Sequence, residues 1–283
     1  MIRKQAAWWR IFIFLGLLAI AWVPLALPIY LLGALSGRSG AADISALVLL
    51  YAGFLLGLPR WGQRIHRWPR PLQHCGLIFQ PQIGRNLCLA LAIGAMGVFL
   101  LFGVETLLGW ATPTVPSPRL GQFVIEGLLV ALAVAFAEGM LFRGWVLAEL
   151  EKDYRPRTAL MMNALFFAGT HFIKPWSEIL RTFPQFLGLV VLGLALVWAR
   201  RTPTSYPSRG EERTRSCLGY SIGLHAGLIW GYYIVNVGGL SDTTGRAPEW
   251  ITGIDSNPLA GLLGVVLLSL IAWQFARRAQ PVT

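Results

Sequence analysis

Charge is what this chain has least of. Lys, Arg, Asp and Glu make up 13% of its 283 residues, about half the share of an ordinary soluble domain. So apolar a surface does not keep a chain of this length dissolved, and lipid is the expected solvent. Acidic residues are the scarcer sign, 13 against 24 basic ones, for a formal net charge of +11. An excess of that kind can mark a nucleic-acid binder, but here the cations are spread between apolar runs and form no concentrated stripe. Cysteine is limited to Cys75, Cys88 and Cys217, an odd number with no metal-ligand spacing, which leaves no disulfide framework and no zinc motif built on thiols. No His-Glu-x-x-His occurs, so the helix signature of one large class of zinc proteases is missing too.

What the chain has instead is apolar length. Eight runs approach the roughly 20 residues that span a bilayer: about Ile11–Leu35, Ile44–Leu58, Leu87–Trp110, Leu120–Phe142, Ala159–Phe172, Pro184–Trp198, Leu218–Val237 and Leu259–Ala276. The second and fifth are short. Nineteen of the 24 Lys and Arg residues fall in the first ten residues, the alternate connections and the tail; the other connections hold Arg38, Arg119, Lys174, Arg181 and Arg246. By the positive-inside rule this puts both termini in the cytoplasm, which an even span number satisfies. The predicted fold class is therefore all-α, a polytopic membrane protein of about eight transmembrane helices in a single domain over 1–283. A cleaved signal peptide is disfavoured, because the first apolar run exceeds the 7–15 residues of a signal h-region. Gln280-Pro281-Val282-Thr283 has no Cys four from the end, so the chain is not expected to be a prenylation substrate itself. Arg200–Ser216, with Pro203, Pro207, Ser205, Ser208 and Gly210, is predicted to be a flexible polar loop. Ala111–Pro118 is predicted as an outer turn and Glu149–Arg157 as a charged cytoplasmic hinge, and His66 and His74 as solvated side chains in a basic connection.

Three ionisable groups stand inside the apolar runs. Glu138 opens Glu138-Gly139-Met140-Leu141-Phe142-Arg143-Gly144, His171 closes Phe167-Ala168-Gly169-Thr170-His171, and His225 sits alone in a later run. Ionisable side chains in hydrocarbon are costly, and those that persist there usually do chemistry or line a polar path. Counting about 1.5 Å per helical residue from the nearest cytoplasmic charges puts all three roughly 15–20 Å deep. A carboxylate with two imidazoles at one level is the making of a hydrolytic site. Arg143 falls about 140° around an α-helix from Glu138, so a direct pair is not expected; a partner on another helix or a phosphate headgroup is. Phe167, one turn before His171, can wall the site. Gly223, Gly227 and Gly231 form a small-residue ridge for close helix packing, with His225 nearly opposite.

These segments resemble the CPBP family (CAAX prenyl protease and bacteriocin-processing, also called Abi). Its pattern is Glu-Glu-x-x-x-Arg, Phe-x-x-x-His and His-x-x-x-Asn or Asp, and the resemblance covers about 120–240. Glu138, Arg143 and Gly144 match the first element, Phe167 and His171 the second, His225 the third. The resemblance implies an eight-span core with a membrane-sunk site open to the cytoplasm. It also implies an intramembrane endopeptidase in which Glu138 activates water while His171 and His225 orient it and stabilise the oxyanion, with Arg143 and Phe167 supporting. The second Glu is replaced by Gly139 and the Asn by Ile229, which leaves a non-catalytic binding or immunity member as an alternative. No cofactor is required, although a Glu and two His could hold zinc with an open position. The partners implied are a membrane protein or membrane-associated peptide and the bilayer, in a bacterial inner membrane or its equivalent.

Three other readings compete. Gly219-Tyr220-Ser221-Ile222-Gly223 matches a serine nucleophile elbow but lies in a predicted helix rather than a strand-turn-helix. Gly37-Arg38-Ser39-Gly40 is similar to the serine motif of rhomboid proteases but falls in an outer loop. A transporter could use Glu105, Glu126 and Glu138 as a polar pathway.

Overall fold

In the computed structural model, which describes residues 2–208 and 211–280, the chain is predominantly helical. In chain order it forms α1 (Ala7–Leu35), α2 (Ser39–Trp61), a π-helical turn (Gly62–His66), α3 (Pro71–His74), α4 (Pro81–Leu107) and β1 (Ala111–Pro113). Then come α5 (Leu120–Glu138), a second π-helix (Gly139–Val146), α6 (Leu147–Asp153), α7 (Pro156–Thr170), α8 (Trp176–Thr182) and α9 (Gln185–Arg201). The rest is β2 (Pro203–Ser208), β3 (Glu211–Ser216), α10 (Gly219–Asn236), β4 (Ser241–Thr243), α11 (Glu249–Thr252) and α12 (Leu262–Ala276), with short 3₁₀ turns between. Four helical stretches are long and apolar enough to cross a membrane: Ala7–Leu35, Ser39–His66, Pro81–Leu107 and Leu120–Asp153. A fifth is the pair α8–α9 if its two arms, bent by 75°, count as one broken span. The C-terminal residues 281–283 of the sequence motif considered above lie outside the described residues.

The chain divides into two compact units. One comprises Met1–Cys75 with Ala148–Tyr154, the other Gly76–Leu147 with Arg155–Thr283. In the first, α1 packs on α2, and Phe14 meets the rings of Phe54 and Trp61. A buried polar network closes the end of this unit. The Glu149 carboxylate, fully buried, accepts from Arg10 Nε (2.8 Å), Trp61 Nε1 (2.8 Å) and His66 Nε2 (2.6 Å). Because the carboxylate only accepts, His66 must carry its proton on Nε2, and its Nδ1 then accepts from Lys152 Nζ at 2.8 Å. Arg10 also reaches Asp153 Oδ2 at 3.0 Å and the Glu149 carbonyl at 3.2 Å. This corrects two expectations: Glu149 is no solvated hinge residue, and His66 is buried. The physical reason is that three side-chain donors converge on one carboxylate, which removes the need for water. His74 is exposed and stacks on Trp68, 4.0 Å between ring centroids.

The second unit is organised around α10, which packs against α4, α5 and α9. Its glycines make this possible. A Cβ at Gly223 would lie 2.1 Å from the Leu87 carbonyl oxygen, and one at Gly227 2.1 Å from that of Leu91. Gly219 faces the Ile83 carbonyl and Gly231 the Ala95 backbone in the same way. Both helices thus repeat every four residues along their contact, backbone against backbone. Ala90, Val98, Leu224, Leu228, Leu196, Leu268 and Phe275 fill the core around it.

The predicted polar loop at 200–216 is instead an antiparallel hairpin, β2 pairing with β3 from Pro203↔Ser216 to Ser208↔Glu211. Residues 209 and 210 at its tip lie outside the described residues. Its base is tied down: Thr204 Oγ1 accepts from Asn86 Nδ2 at 2.9 Å and lies 3.3 Å from Cys217 Sγ. The prolines that suggested a loop are tolerated because a two-stranded ribbon has only edges. The outer turn contributes a second small ladder, in which β1 pairs antiparallel with β4 through Ala111↔Thr243.

Two substitutions test this packing. Gly227→Ala is expected to destabilise the protein by about 1–3 kcal/mol through overpacking, whereas Gly103→Ala, with nothing within 4 Å of the added carbon, is neutral or mildly stabilising; thermal unfolding of the detergent-solubilised chain separates them. Arg10→Met leaves Glu149 short of its cationic partner and is expected to cost about 3–5 kcal/mol in the same measurement. A melting curve unchanged by Arg10→Met would contradict the network.

Candidate functional site

Glu138 is the last residue of α5, and the chain does not continue from it as an α-helix. Gly139–Val146 is a π-helix, buried along most of its length. Hydrogen bonds in such a helix run from i to i+5, and single turns of this kind recur at functional sites. The wider winding returns residues five apart toward one face. It therefore replaces the α-helical 140° estimate for Arg143, which assumed 3.6 residues per turn. Asn163, on α7 and fully buried, donates from Nδ2 to the Phe142 carbonyl oxygen at 2.7 Å and so pins this turn. Sequence reasoning passed over Asn163; the only signal available was a lone amide in an apolar run, one turn before Phe167.

Phe167, with no exposed surface, is the hub. The Arg143 guanidinium carbon stands 3.9 Å from the centre of its ring, close enough for a cation–π contact. The rings of Phe142, His171 and His225 meet Phe167 edge-to-face at centroid distances of 5.3, 4.7 and 6.2 Å. Arg143 is 1% exposed, and none of its three guanidinium nitrogens has a hydrogen-bond partner among the described residues. So the aromatic expected to wall the site is in contact with Arg143 and both histidines.

The two histidines are presented differently. His171 caps the C-terminal end of α7 and is exposed. Its Nδ1–H donates to the Phe167 carbonyl oxygen at 2.9 Å, since a carbonyl can only accept. In the neutral ring that leaves Nε2 unprotonated and pointing away from its own helix. His225, on α10, is 7% exposed, and its Nε2 lies 3.9 Å from Glu138 Oε2. That gap is too long for a direct hydrogen bond and suits a bridging water. Glu138 Oε2 is buried and has no hydrogen-bond partner among the described residues. Five sequence-selected residues, Glu138, Arg143, Phe167, His171 and His225, thus come together within one unit.

Several other candidates do not join them. Ser221 lies in the first turn of α10 with ordinary helical backbone, lacks the strained turn of a nucleophile elbow, and has no hydrogen bond to His225. Gly37–Gly40 forms the turn between α1 and α2. Glu126 is exposed and accepts from Gln122 at 2.7 Å, and Glu105 lines a separate cavity with neither Glu126 nor Glu138. Among the described residues no three His, Cys, Asp or Glu side chains are grouped as a metal ion would need.

Gly139 faces α10: a Cβ there would lie 2.9 Å from Ile222 Cγ1. Phe136 and Ile222, beside it, help line an apolar cavity of about 450 Å³ together with Leu77, Phe79, Ile83 and Leu132.

Residues 120–231 match the family model described as type II CAAX prenyl endopeptidase Rce1-like. No curated protein and no solved structure matches the chain. With its apolar helices, the match identifies an integral membrane protein.

Gly139→Ala is expected to lower the unfolding midpoint, because Ile222 must give way to the new methyl; Gly139→Ala combined with Ile222→Ala should recover most of that loss, a coupling read from the double-mutant cycle. Additive effects of the two substitutions would rule out that contact.

Proposed function

We propose, from the match of residues 120–231 to the Rce1-like CAAX endopeptidase model and the resemblance to the CPBP family, that this chain is an intramembrane endopeptidase hydrolysing peptide bonds with a water activated by Glu138. The observation that carries this reading is the 3.9 Å separation of Glu138 Oε2 and His225 Nε2 at a buried, unpartnered carboxylate oxygen. A water in that gap donates to the carboxylate and is oriented by His225. As it attacks the scissile carbonyl, its proton passes to Glu138, which later returns it to the leaving amine. The developing oxyanion needs a donor. With Nδ1–H committed to the Phe167 carbonyl, His171 supplies one from Nε2 when the ring is protonated. Arg143 and Phe167 set the electrostatics and shape of the pocket.

Eight spans fit this reading: α1, α2, α4, α5 with the π-helix and α6, α7, the bent pair α8–α9, α10, and α12, with both termini in the cytoplasm. The membrane is then a bacterial inner membrane or its equivalent. The substrate is a membrane protein or membrane-associated peptide reaching Glu138 through the membrane or from the cytoplasmic face. Gly139 and Ile229 favour one second reading, a non-catalytic member acting by binding or in immunity.

The two readings separate in a terminome experiment. Native and Glu138→Gln proteins, equally expressed in the host membrane, are compared by mass spectrometry of new peptide termini. Termini specific to the native protein should fall about 10²-fold or more in Glu138→Gln, as loss of general-base catalysis requires, and vanish in His171→Ala. Identical terminomes from folded proteins would establish the binding reading instead.

A further inference from the structure

The second unit holds another polar cavity, about 130 Å³ in volume, built at the C-terminal end of α4. Its lining residues include Glu105 and Glu249 and the hydroxyl-bearing Ser241, Thr243, Thr252 and Ser256. No Lys, Arg or His is among its lining residues. Glu105 is 5% exposed, and its Oε1 has no hydrogen-bond partner among the described residues; the same is true of Ser241 Oγ. A carboxylate withdrawn from water to this degree calls for a cation or a donor; the lining residues offer hydroxyls but no cation. Arg246, the nearest cation in sequence, lies against Gly109, and no ion pair joins it to Glu105 or Glu249. The wall of the cavity is held in a costly shape. Asp255 and the lining residue Ser256 follow one another with φ of 57° and 56°, and Gly253 just before has φ of 93°. Consecutive non-glycine residues in the left-handed region are uncommon, and such strain gathers at ligand sites.

We propose that this cavity binds a hard divalent cation of the calcium class, held by the carboxylates of Glu105 and Glu249 and the hydroxyl of Ser241. Oxygen ligands from carboxylates and neutral groups, completed by water, are what such a cation takes. The volume admits it with a few waters, each about 30 Å³. Two carboxylates, one of them on the exposed residue Glu249, fit a site of the weak class, with a Kd of about 10⁻⁴–10⁻³ M. The site shares no residue with the Glu138 centre, so it stands whether or not the chain is a protease.

The test uses the full chain in detergent. Terbium serves as a calcium probe, its luminescence excited through Trp110 and Trp250, which adjoin the lining residues Ala111 and Glu249. Unfolding midpoints are measured in parallel with calcium, with magnesium, and with sodium chloride at matched ionic strength. Calcium should displace terbium and raise the midpoint by mass action, and magnesium and sodium chloride should do neither. Glu105→Gln and Glu249→Gln should each weaken calcium binding about tenfold or more, while Glu126→Gln leaves it unchanged. Since Glu249 is exposed, its substitution tests the site without threatening the fold. Absence of terbium luminescence, a midpoint that follows ionic strength alone, or calcium binding unaltered in Glu105→Gln and Glu249→Gln would each overturn the proposal.

Discussion

The closeness of α10 to α4 is the constraint on which the unit of Gly76–Leu147 with Arg155–Thr283 depends. Helices in lipid gain little from hiding apolar surface, since the solvent is equally apolar, and they associate through van der Waals contact and polar groups. Here that contact is backbone to backbone, with glycines at 219, 223, 227 and 231 lying over the carbonyls and Cα atoms of every fourth residue of α4. A helix clamped along one side has a fixed rotation. The opposite side of α10 then presents His225 toward Glu138 and Phe167. One extra methyl at the ridge would rotate or lift the helix and carry His225 with it, since the imidazole gap to Glu138 is set by helix position rather than by a bond between the two side chains.

Much of this was readable from the chain. The glycine ridge, the apolar runs and the residues of the Glu138–His171–His225 set follow from periodicity and from the scarcity of ionisable groups in hydrocarbon. Phe167 could be placed one turn from His171 by helix geometry. What could not be read is where the helix stops being an α-helix. Gly139–Val146 winds as a π-helix because of tertiary ties such as Asn163 to the Phe142 carbonyl, and no local propensity announces them. The same limit explains Glu149 and His66. Each is polar and stands near basic residues, so each looks solvated in sequence. Burial comes from Arg10 and Trp61, more than 80 positions from Glu149. The hairpin at 203–216 was hidden by its prolines, since a two-stranded ribbon relaxes the rule that excludes them from sheets.

Polar groups in so apolar a chain meet three different ends. Glu149 is saturated, with three side-chain donors on one carboxylate, and a group so fully bonded serves as a fastening. Glu138 is left partly unspent beside two imidazoles, and the unpartnered oxygen is what suits it to take a proton. Glu105 is buried with an unpartnered oxygen as well, but its neighbours are hydroxyls and a second carboxylate, a set that can hold a cation and cannot relay protons to an imidazole. The distinction rests on what surrounds each acid and not on its depth.

Gly139 and Ile229 carry the same logic to the site itself. The resemblance leads one to look for a second carboxylate and an amide at these positions, and each absence has a physical counterpart. At 139 the space of a side chain is taken by Ile222 Cγ1, 2.9 Å from where a Cβ would stand, so a second glutamate and the present approach of α10 exclude one another. At 229 an amide donor is gone, one helical turn beyond His225. In the proposed reaction, oxyanion stabilisation falls to the remaining donors near Glu138. Two stand there: the Arg143 guanidinium, whose three nitrogens are unpartnered among the described residues, and His171, whose Nδ1–H is held by the Phe167 carbonyl so that Nε2 is left over. Only the imidazolium can donate from His171 Nε2, whereas the Arg143 guanidinium is a standing donor, so the loss of an asparagine amide still leaves donors in this cluster.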